Sequence, residues 1–443
     1  MRIEIKEKEL FRELIYKNYN IKLGSINSLC IDSRLVQAND IFIPIVGNMI
    51  DPHKFIPNII KSKPALIFSQ QPFESNNIIK VKSTKNVISH LSKQWIKAFK
   101  QSTIAITGSN GKTTTKEMLV NIFKTVKNVN YTKGNYNSTI GLPINLFNFT
   151  LNAKINIVEM GASKPNEINF LSKIINPKYS LITNIQNAHI GNFKSHDHLV
   201  KTKLALFKNT LENGKIFENN DDINISNYCQ GVKNKISYGF KNSNVDFFGK
   251  WKLTNSNPNF SINGKKIHNN FLNKIMAKNI LPSYSISRTF GIGHDDIIKG
   301  VKKFNFLNGR GRHINKNGYL IIDDTYNANF QSFKIGIESF MSINNKGRKI
   351  LVVGDMKELG NESIYEHIKL GNFINDQNPD IVFSYGEIIS NAIKVLENKK
   401  IFSKHFIERK KLTDDLKSEI EKGDAIYFKA SRSLNFENII KAI

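Results

Sequence analysis

Short apolar runs separated by amphipathic helical patterns recur along the chain. The apolar runs at 104–106, 155–158 and 181–184 have the length of buried strands, and a helical spacing of apolar residues follows residue 112. Four further runs near the C-terminus also predict strands: 319–322, 349–353, 381–383 and 425–428. A helix is expected over 388–396. Strands that alternate with helices in this way indicate parallel α/β sheets.

The same pattern divides the chain into three units, and the predicted fold class is α/β with three domains. Residues 1–98 predict a small α/β N-terminal domain, residues 99–308 a central P-loop-type ATPase domain with a mostly parallel sheet, and residues 309–443 a C-terminal Rossmann-like domain. The glycine-rich, charged segment 307–312 is the best linker candidate. Residues 213–278 are more polar, and an extension of the central sheet is one interpretation of their short strand-like pieces.

The clearest chemical signal is a glycine loop between the first central strand and the helix after it. The loop residues are Gly108, Ser109, Asn110, Gly111, Lys112, Thr113 and Thr114. Glycines allow backbone N–H groups to turn toward an anion, and the start of the helix adds a partial positive charge. Lys112 supplies a full charge for the β- and γ-phosphates, and the Thr113 hydroxyl is a ligand for Mg²⁺. The segment predicts ATP binding, although Ile106 stands where the commonest form of this loop has another glycine.

Polar residues follow two other central strands. Glu159 ends the strand predicted at 155–158, and Asn184 and His189 follow the next strand. Because ligands of parallel sheets bind at the carboxyl ends of the strands, we expect these three residues to converge on the glycine loop. A carboxylate there is placed to reach Mg²⁺ or its waters. For His189, a hydrogen-bonded structural role is the alternative.

The third domain also has polar residues at the ends of its predicted strands. Asp324 and Asn327 follow one strand, and Lys429 and Ser431 lie at the end of another. Such residues are placed to hold a ribose or a second substrate. The alternative is ordinary turn chemistry, in which Asp, Asn and Ser bond to nearby backbone.

The first domain offers one candidate site. Ser33 and Arg34 lie at a predicted strand end, and Arg is a rigid forked donor suited to a phosphate or a uracil ring. The alternative is a surface ion pair between Arg34 and Asp32 or Asp40.

Charge and cysteine content change this picture little. The 64 Lys and Arg residues exceed the 37 Asp and Glu residues by 27 charges, but the lysines are scattered, so we expect anionic substrates and no nucleic-acid partner. Cys30 and Cys229 give no metal or disulfide pattern. No apolar run approaches the ~18 residues of a membrane span, and the N-terminus lacks an apolar signal core. The sequence therefore predicts a cytoplasmic protein without a membrane span.

Taken in order, these segments resemble the Mur ligase family. The motifs that carry the resemblance span nearly the whole chain: 31–34 with Asp40, 107–114, 134–137, 159–162, 183–184 with 188–189, 323–329, 354–360 and 429–433. The last three favour the MurF type, the UDP-N-acetylmuramoyl-tripeptide–D-alanyl-D-alanine ligases. The resemblance implies an ATP-driven amide ligase, a monomer, that joins UDP-N-acetylmuramoyl-tripeptide to D-alanyl-D-alanine through an acyl phosphate in peptidoglycan precursor synthesis.

The resemblance also implies roles for individual residues. Lys112 binds the β- and γ-phosphates, Thr113 and Glu159 serve one Mg²⁺, and His189 serves a second. Lys203, four residues before Phe207, falls where the family carries a carbamylated lysine that ligates Mg²⁺, with Lys201 a less favoured occupant. The resemblance further implies that Arg310 and Asp324 contact the nucleotide. Ser33 and Arg34 are expected at the uridine end of the substrate, and Asn137 is expected to bind substrate. Asn327 and Ser431 are expected near the dipeptide end.

Four alternatives remain open from the sequence. The diaminopimelate- or lysine-adding ligase of the same superfamily is disfavoured because no Asp-Asn-Pro-Arg segment of the expected kind occurs. Folylpolyglutamate synthase is disfavoured by the segment Asp32-Ser33-Arg34, which belongs to a domain that enzyme is expected to lack. A P-loop ATPase that acts on nucleic acid is favoured only by the net charge. A degenerate, non-catalytic Mur-like binding protein is disfavoured because Lys112, Glu159 and His189 are intact.

Overall fold

The computed structural model describes residues 1–47, 49–187, 190–254, 257–268 and 273–443. Along these residues the chain forms three mixed α/β units, each built on its own sheet, and the predicted α/β class is confirmed. The domain limits at 98/99 and 308/309 stay predictions. No helix among the described residues has the length and apolar character to cross a membrane.

The first unit contains a five-stranded sheet in the order β1-β2-β3-β4-β5, antiparallel at β1 and otherwise parallel. Its strands are β1 (Arg2–Glu4), β2 (Ser28–Cys30), β3 (Ile41–Phe42), β4 (Leu66–Ser69) and β5 (Ile78–Lys80). Its helices are α1 (Lys8–Tyr19), α2 (Ile56–Ile59) and α3 (Thr84–Ala98). Short 3₁₀ helices lie at Ser33–Leu35, Pro52–Phe55 and Ile60–Ser62.

The central unit contains a nine-stranded sheet in the order β14-β13-β12-β11-β10-β9-β6-β8-β7. Its strands are β6 (Thr103–Thr107), β7 (Val129–Tyr131), β8 (Ile155–Glu159), β9 (Tyr179–Ile182), β10 (Lys215–Asn219), β11 (Lys235–Gly239), β12 (Phe247–Thr254), β13 (Asn257–Ile262) and β14 (Lys265–Lys266). Its helices are α4 (Lys112–Phe123), α5 (Gly141–Asn145), α6 (Glu167–Ile175), α7 (His196–Lys208), α8 (Ile223–Tyr228), α9 (Lys274–Thr289) and α10 (His294–Lys302), with 3₁₀ helices at Leu146–Asn148 and Ile190–Asn192. The strands from β12 to β7 pair in parallel, whereas β13 and β14 are antiparallel additions. The polar segment 213–278 therefore does extend the central sheet.

The third unit contains a six-stranded sheet in the order β15-β16-β20-β17-β18-β19, parallel except for β15. Its strands are β15 (Arg312–Lys316), β16 (Tyr319–Asp323), β17 (Lys349–Gly354), β18 (Ile381–Tyr385), β19 (Phe402–Phe406) and β20 (Ala425–Lys429). Its helices are α11 (Phe330–Met341), α12 (Ser363–Gln377), α13 (Ser390–Ile393), α14 (Arg409–Glu419) and α15 (Glu437–Ala442), with 3₁₀ helices at Gly360–Glu362 and Arg432–Leu434.

The helix expected over 388–396 is shorter than predicted. The helix α13 covers only Ser390–Ile393, and in the turn before it the backbone N–H groups of Ile388 and Ile389 donate to the buried carboxylate of Asp355, at 3.0 and 2.8 Å. A carboxylate that accepts these N–H groups fixes the chain in a turn before the helix begins.

The core of the first unit continues into the central unit. Trp95, on α3, is fully buried, packs against Phe147 of the central unit and donates its indole N–H to the Leu146 carbonyl at 2.8 Å. Buried aromatic contacts of this kind contribute both apolar area and a favourable edge-to-face geometry. The first and central units are thus joined by packed side chains.

The central and third units meet partly through backbone alone. The Gly191 N–H donates to the Glu358 carbonyl at 3.0 Å, and a Cβ at Gly191 would lie 2.5 Å from the Gly360 nitrogen. Real Cβ atoms do not approach backbone so closely. This contact brings the third unit against the carboxyl-end edge of the central sheet.

Candidate active site

The glycine loop between β6 and α4 forms an anion cradle. Gly108 and Gly111 have φ values of +143° and +81°, a region that side chains with a Cβ rarely adopt. A Cβ at Gly108 would overlap Thr183 Oγ1, and one at Gly111 would lie 2.6 Å from Asn279 Oδ1. The loop therefore depends on glycine at both positions for its shape. It leads directly into the N-terminus of α4, where partial positive charge is available to an anion.

The Lys112 ammonium lies folded back over this loop. It donates to the carbonyls of Gly108 and Ser109 at 2.7 and 3.1 Å. Although Lys112 is only part-buried as a residue, burial of its ammonium group lowers its pKa to about 8, against the opposing effect of the Glu159 carboxylate. The cation is thus held at the loop by weak carbonyl partners that a phosphate would replace.

Glu159, at the end of β8, is held beside the loop with one oxygen unused. Its Oε1 accepts from Thr113 Oγ1 at 2.9 Å and from Asn137 Nδ2 at 2.7 Å. Its Oε2 is buried and has no hydrogen-bond partner among the described residues. A buried carboxylate oxygen without a partner is costly unless a cation occupies the site.

Thr113 and Glu159 together fit Mg²⁺. Mg²⁺ takes oxygen ligands and in nucleotide sites is bound by one or two protein groups together with phosphates and water. No cluster of three or more Asp, Glu, His or Cys residues that could hold a metal ion occurs in the described part of the chain. His189, the second predicted ligand, lies outside the described residues.

Lys203, on α7, is the second buried lysine of this region. Its residue is 2% exposed, and its Nζ has one hydrogen bond within the described structure, a 3.5 Å contact to the Gly108 carbonyl. Burial, with a further contribution from the nearby Lys112 charge, lowers the pKa of Lys203 to about 7. A large fraction of this amine is therefore neutral and nucleophilic near neutral pH.

The third unit supplies the opposite wall of the site. The Asp324 carboxylate accepts from Tyr427 OH at 2.8 Å and from Lys429 Nζ at 2.6 Å, and Lys429 also donates to the Asn327 carbonyl at 3.0 Å. The Arg310 guanidinium stacks on the Tyr326 ring, 3.7 Å from its centroid. This wall therefore offers both a fixed carboxylate and a half-buried planar cation.

These two walls enclose one cavity of about 390 Å³. Its lining includes twelve of the residues singled out in the sequence: Ser109, Asn110, Gly111, Lys112, Thr113, Thr114, Asn137, Glu159, Arg310, Asp324, Asn327 and Lys429. Phe306 and His313 also line it, with their rings stacked at 5.8 Å and nearly parallel. The glycine loop with its lysine, a carboxylate with one unpartnered oxygen and planar side chains thus face a single space of the kind that a nucleotide occupies.

Six other predicted residues in the described part of the chain lie outside this cavity lining: Ser33, Arg34, Gly108, Asn184, Lys203 and Ser431. Ser33 and Arg34 lie in the first unit, where Arg34 is largely exposed and pairs with Asp32 at 2.8 and 2.9 Å, as the alternative interpretation had it. Asp40 pairs instead with Arg2. Ser431 Oγ accepts the backbone N–H of Lys357 at 2.8 Å. The functional roles given to the site residues stay predictions.

Two asparagines of the site were not assigned from the sequence. Asn279, on α9, touches the glycine loop and accepts from Thr115 Oγ1 at 3.1 Å, and nothing in the sequence distinguished it. Asn329 caps α11 and bonds to Asn110 of the loop. It belongs to the motif at 323–329, which was the available signal.

A second, smaller cavity lies beside the first. It encloses about 140 Å³ between the central and third units, and Gln186, Asn187, Asn329, Phe330, Gln331, Leu359, Glu366 and Lys369 line it. The side-chain amides of Asn110 and Asn329 bond to each other, and Asn110 Nδ2 also donates to Gln186 Oε1 at 2.7 Å. Because Asn110 lines the large cavity and Asn329 the small one, this amide pair forms the wall between them.

Comparison with known proteins decides the family. Residues 106–286 match the Mur ligase middle domain, and residues 309–432 match the Mur ligase glutamate ligase domain. Together these matches cover more than half of the chain. The chain belongs to the Mur ligase family. The resemblance inferred from the motifs is confirmed.

Individual relatives place the chain among Mur ligases of one type. The UDP-N-acetylmuramoyl-tripeptide–D-alanyl-D-alanine ligase of Bacillus subtilis (strain 168) is 32% identical over 430 residues, 94% of this chain and 93% of the relative. The ligase of the same name from Haemophilus influenzae is 30% identical over 96% of this chain and 94% of the relative.

Solved structures agree. A MurF ligase from Thermotoga maritima, crystallised in complex with ADP, has a TM-score of 0.84 and 29% identity over 94% of this chain and 96% of that chain. A UDP-N-acetylmuramoyl-L-alanyl-D-glutamate–2,6-diaminopimelate ligase aligns over the full chain with a TM-score of only 0.53 and 13% identity, which shows a shared Mur ligase fold. The MurF type is therefore the match, as the motifs favoured.

Proposed function

We propose that this chain is the ATP-dependent ligase that adds D-alanyl-D-alanine to UDP-N-acetylmuramoyl-tripeptide in peptidoglycan precursor synthesis, forming ADP and phosphate. The observation that carries the proposal is the single cavity in which Lys112, Thr113 and Glu159 of the central unit face Arg310 and Asp324 of the third. A site divided between two units suits a reaction whose intermediate must be shielded from water. The names of the near full-length relatives support the substrates.

The first chemical step joins two anions. The terminal carboxylate of the tripeptide attacks the γ-phosphorus of ATP, and ADP leaves as the acyl phosphate forms. Two unit charges 4 Å apart repel by about 4 kcal/mol at an effective dielectric near 20. Lys112 and the backbone N–H groups of the glycine loop cancel part of this charge and stabilise the transferred phosphoryl group.

Thr113 and Glu159 would hold Mg²⁺, which neutralises phosphate charge and polarises the phosphorus centre. The unpartnered Oε2 of Glu159 supports this assignment. Asn137 holds the other carboxylate oxygen and thereby orients it. We propose that two Mg²⁺ ions are bound and that His189 is a ligand of the second.

We propose that the side-chain amine of Lys203 acts in its CO₂-modified form, a carbamate. The neutral amine adds to CO₂ and releases one proton, so a neutral group becomes an anion able to ligate Mg²⁺. The supporting observations are burial, a pKa of about 7 and a position against the Gly108 carbonyl of the phosphate loop. Without the carbamate, a buried ammonium beside Lys112 would repel it.

On the third-unit side, Asp324 is proposed to accept a hydrogen bond from the ribose. Arg310 is proposed to stack on the nucleotide or to form an ion pair with it. Lys429 fixes the Asp324 carboxylate through a 2.6 Å bond. Ser33 and Arg34 are proposed to bind the uridine end of the substrate, and Asn327 and Ser431 to lie toward the dipeptide. In the second step the dipeptide amine attacks the acyl carbonyl, and phosphate leaves from the tetrahedral intermediate.

One assay tests the function. Purified protein is incubated with Mg-ATP, UDP-N-acetylmuramoyl-tripeptide and D-alanyl-D-alanine, and phosphate release is measured with each component omitted in turn. The expected result is release that requires all components and yields the pentapeptide nucleotide by mass spectrometry. Phosphate release that is indifferent to D-alanyl-D-alanine and stimulated by DNA or RNA would refute the proposal.

A further inference from the structure

Lys116 is a fully buried lysine with no role in the proposed mechanism. It lies on α4, one helical turn beyond Thr113, and it is 0% exposed. Its Nζ donates to the carbonyls of Thr132 and Gly134, at 2.6 and 3.3 Å, and pairs with the Glu117 carboxylate at 2.6 Å. Lysines are rarely buried unless they are paired, and these contacts use the three donors of the ammonium. The ammonium therefore holds these groups together inside the protein.

The two carbonyls that Lys116 binds belong to the loop 132–140 between β7 and α5. The turn at 133–136 is exposed to solvent, whereas Lys116 contacts the loop from its buried side. An exposed turn has few packed contacts that fix its position. The hydrogen bonds from Lys116 therefore tie the loop to α4, the helix that begins at the glycine loop.

The same loop carries Asn137, which holds the Glu159 carboxylate. Asn137 Nδ2 donates to Glu159 Oε1 at 2.7 Å, and the Asn137 carbonyl accepts from the Gly161 N–H at 2.8 Å. Thr113 Oγ1, on α4, donates to the same Oε1 at 2.9 Å. The carboxylate is thus held by two donors. One donor lies on α4 itself, and the other lies on the loop that Lys116 ties to α4.

Two donors fix the direction of a carboxylate more closely than one. Because both bind Oε1 of Glu159, the buried and unpartnered Oε2 is the oxygen left for a cation. If Asn137 moved away, the carboxylate could turn about its remaining bond to Thr113, and Oε2 would lose its fixed position. Groups that orient a metal-binding carboxylate typically contribute 10–100-fold to metal affinity or activity.

We propose that Lys116 is a positioning residue, which keeps Asn137 on Glu159 by fixing the loop 132–140 to α4. Lys116 does not line the large cavity, so it acts through the loop and not on a ligand. Its effect on catalysis rests on the proposed function. Its effect on the loop is a property of the protein without any ligand.

Hydrogen exchange in metal-free, nucleotide-free protein tests the effect on the loop. The reporter is the Gly161 amide, whose acceptor is the Asn137 carbonyl, resolved by mass spectrometry with overlapping peptides. In Lys116→Met this amide should exchange at least tenfold faster than in wild type, because the loop has lost its buried donor. Exchange in the third unit should not change. An unchanged rate at Gly161 would overturn the inference.

Kinetics test the effect on the carboxylate. Lys116→Met should lower kcat at least tenfold and raise the Mg²⁺ concentration for half-maximal activity at least tenfold. The KM for ATP at saturating Mg²⁺ should change less than twofold, because Lys112 and the glycine loop keep their contacts. Asn137→Ala should cause the same changes. Lys116→Met added to Asn137→Ala should then change kcat less than twofold, since both act through one contact. Additive losses would contradict the proposal.

Lys124→Met is the matched control. Lys124 directly follows α4, and its ammonium reaches Tyr131 at the end of β7, but on the protein surface. It should keep wild-type exchange and kinetics. Lys116→Gln is the second variant if Lys116→Met does not fold. Its side chain is one bond shorter and uncharged, so it cannot reach both carbonyls, and the same changes are expected of it.

Failure of this inference and failure of the proposed function are distinguishable. If wild-type enzyme releases no phosphate with all substrates present, the proposed function fails, and the exchange rate at Gly161 still decides whether Lys116 fixes the loop. If wild type is active and Lys116→Met matches it in kcat and Mg²⁺ requirement, only the role of Lys116 is refuted.

Discussion

The side-chain amides of Asn110 and Asn329 bond to each other between the central and third units, with Asn329 Nδ2 2.9 Å from Asn110 Oδ1. Asn110 belongs to the glycine loop, and Asn329 caps helix α11 through a capping box with Ser332. A ligand that shifts the loop therefore acts on the start of α11. We infer that occupancy of the loop and closure of the third unit are coupled.

Asn110→Ala and Asn329→Ala should be non-additive. Each variant removes the same amide pair, so the double variant is expected to lose less than the sum of the single losses, with an interaction energy of about 0.5–3 kcal/mol. The measurement is a double-mutant cycle on kcat/KM for ATP. Additive effects would contradict the coupling of loop and third unit.

Gly108→Ala should abolish ATP binding. The new Cβ would overlap Thr183 Oγ1 at a φ of +143°, so the loop must move. Gly231→Ala is the matched control, because its φ is +76° and a Cβ there meets nothing within 4 Å. We expect the control to lose about 1 kcal/mol of stability from backbone strain alone and to bind ATP normally by calorimetry.

Lys112→Ala should lose phosphoryl transfer without unfolding. Removal of one preorganised donor to a transition-state oxyanion costs about 10²–10³-fold in kcat. ADP release is the measurement, with thermal unfolding as the folding check. Lys124→Ala, which removes a surface lysine near the Tyr131 ring, is the control and should be active. Normal turnover in Lys112→Ala would refute its phosphate role.

Glu159→Gln should raise the Mg²⁺ concentration required for activity. The substitution keeps the shape of the side chain and its acceptor for Thr113, but it replaces an anionic oxygen by a neutral amide. Activity titrated against Mg²⁺ should show a shift of at least tenfold, while unfolding in the absence of metal changes little. An unchanged Mg²⁺ titration would remove Glu159 from the metal site.

Lys203→Ala should be inactive and should regain activity with short carboxylic acids. The variant leaves a buried space where the proposed carbamate would lie, and a small carboxylate restores the anion. Activity measured with and without acetate or formate tests this. Lys201→Ala is the control because Lys201 is exposed on the same helix, and it should need no rescue. Absence of rescue, with wild-type activity independent of dissolved CO₂, would contradict the carbamate.

The stability of CO₂-free enzyme should depend on pH through Lys203. Burial lowers its pKa from 10.5 to about 7, so between these values the unfolded chain binds more protons than the folded chain. Stability contributed by this group therefore rises as pH increases from about 7 to about 10.5 and is lowest below 7. Denaturant unfolding of wild type and Lys203→Met at pH 7 and pH 9 should show wild type gaining stability relative to the variant. A difference that is constant with pH would contradict the lowered pKa.

The glycine loop and the polar residues at the strand ends could be predicted because their chemistry is local. A glycine shortly before Gly-Lys-Thr, or a carboxylate at the end of a strand, is recognised from a few adjacent residues. The distant contacts of Asn279 were not predictable, since an asparagine within a helix has no local signature and its partner Gly111 is far away in sequence. The turn before α13 was equally unpredictable, because the Asp355 carboxylate that accepts the N–H groups of Ile388 and Ile389 is distant in sequence.

The position of Arg34 shows a different limit. Its sequence context fits either a nucleotide contact or a pair with Asp32, and the side chain makes the pair. A local ion pair and a ligand site use the same donor, so the amino-acid pattern cannot separate them. The small cavity, whose charged residues lie on α12 and whose amides come from two units, could likewise not be predicted without the folded chain.

Where Gly191 meets Gly360, two parts of the enzyme are matched by the peptide chain itself. A methyl group added at either glycine would stand between the two units, because the added Cβ would lie 2.5 Å from the Gly360 nitrogen or 3.0 Å from the Gly191 Cα. We therefore expect closure of the third unit over the central unit to depend on the absence of a side chain at both positions.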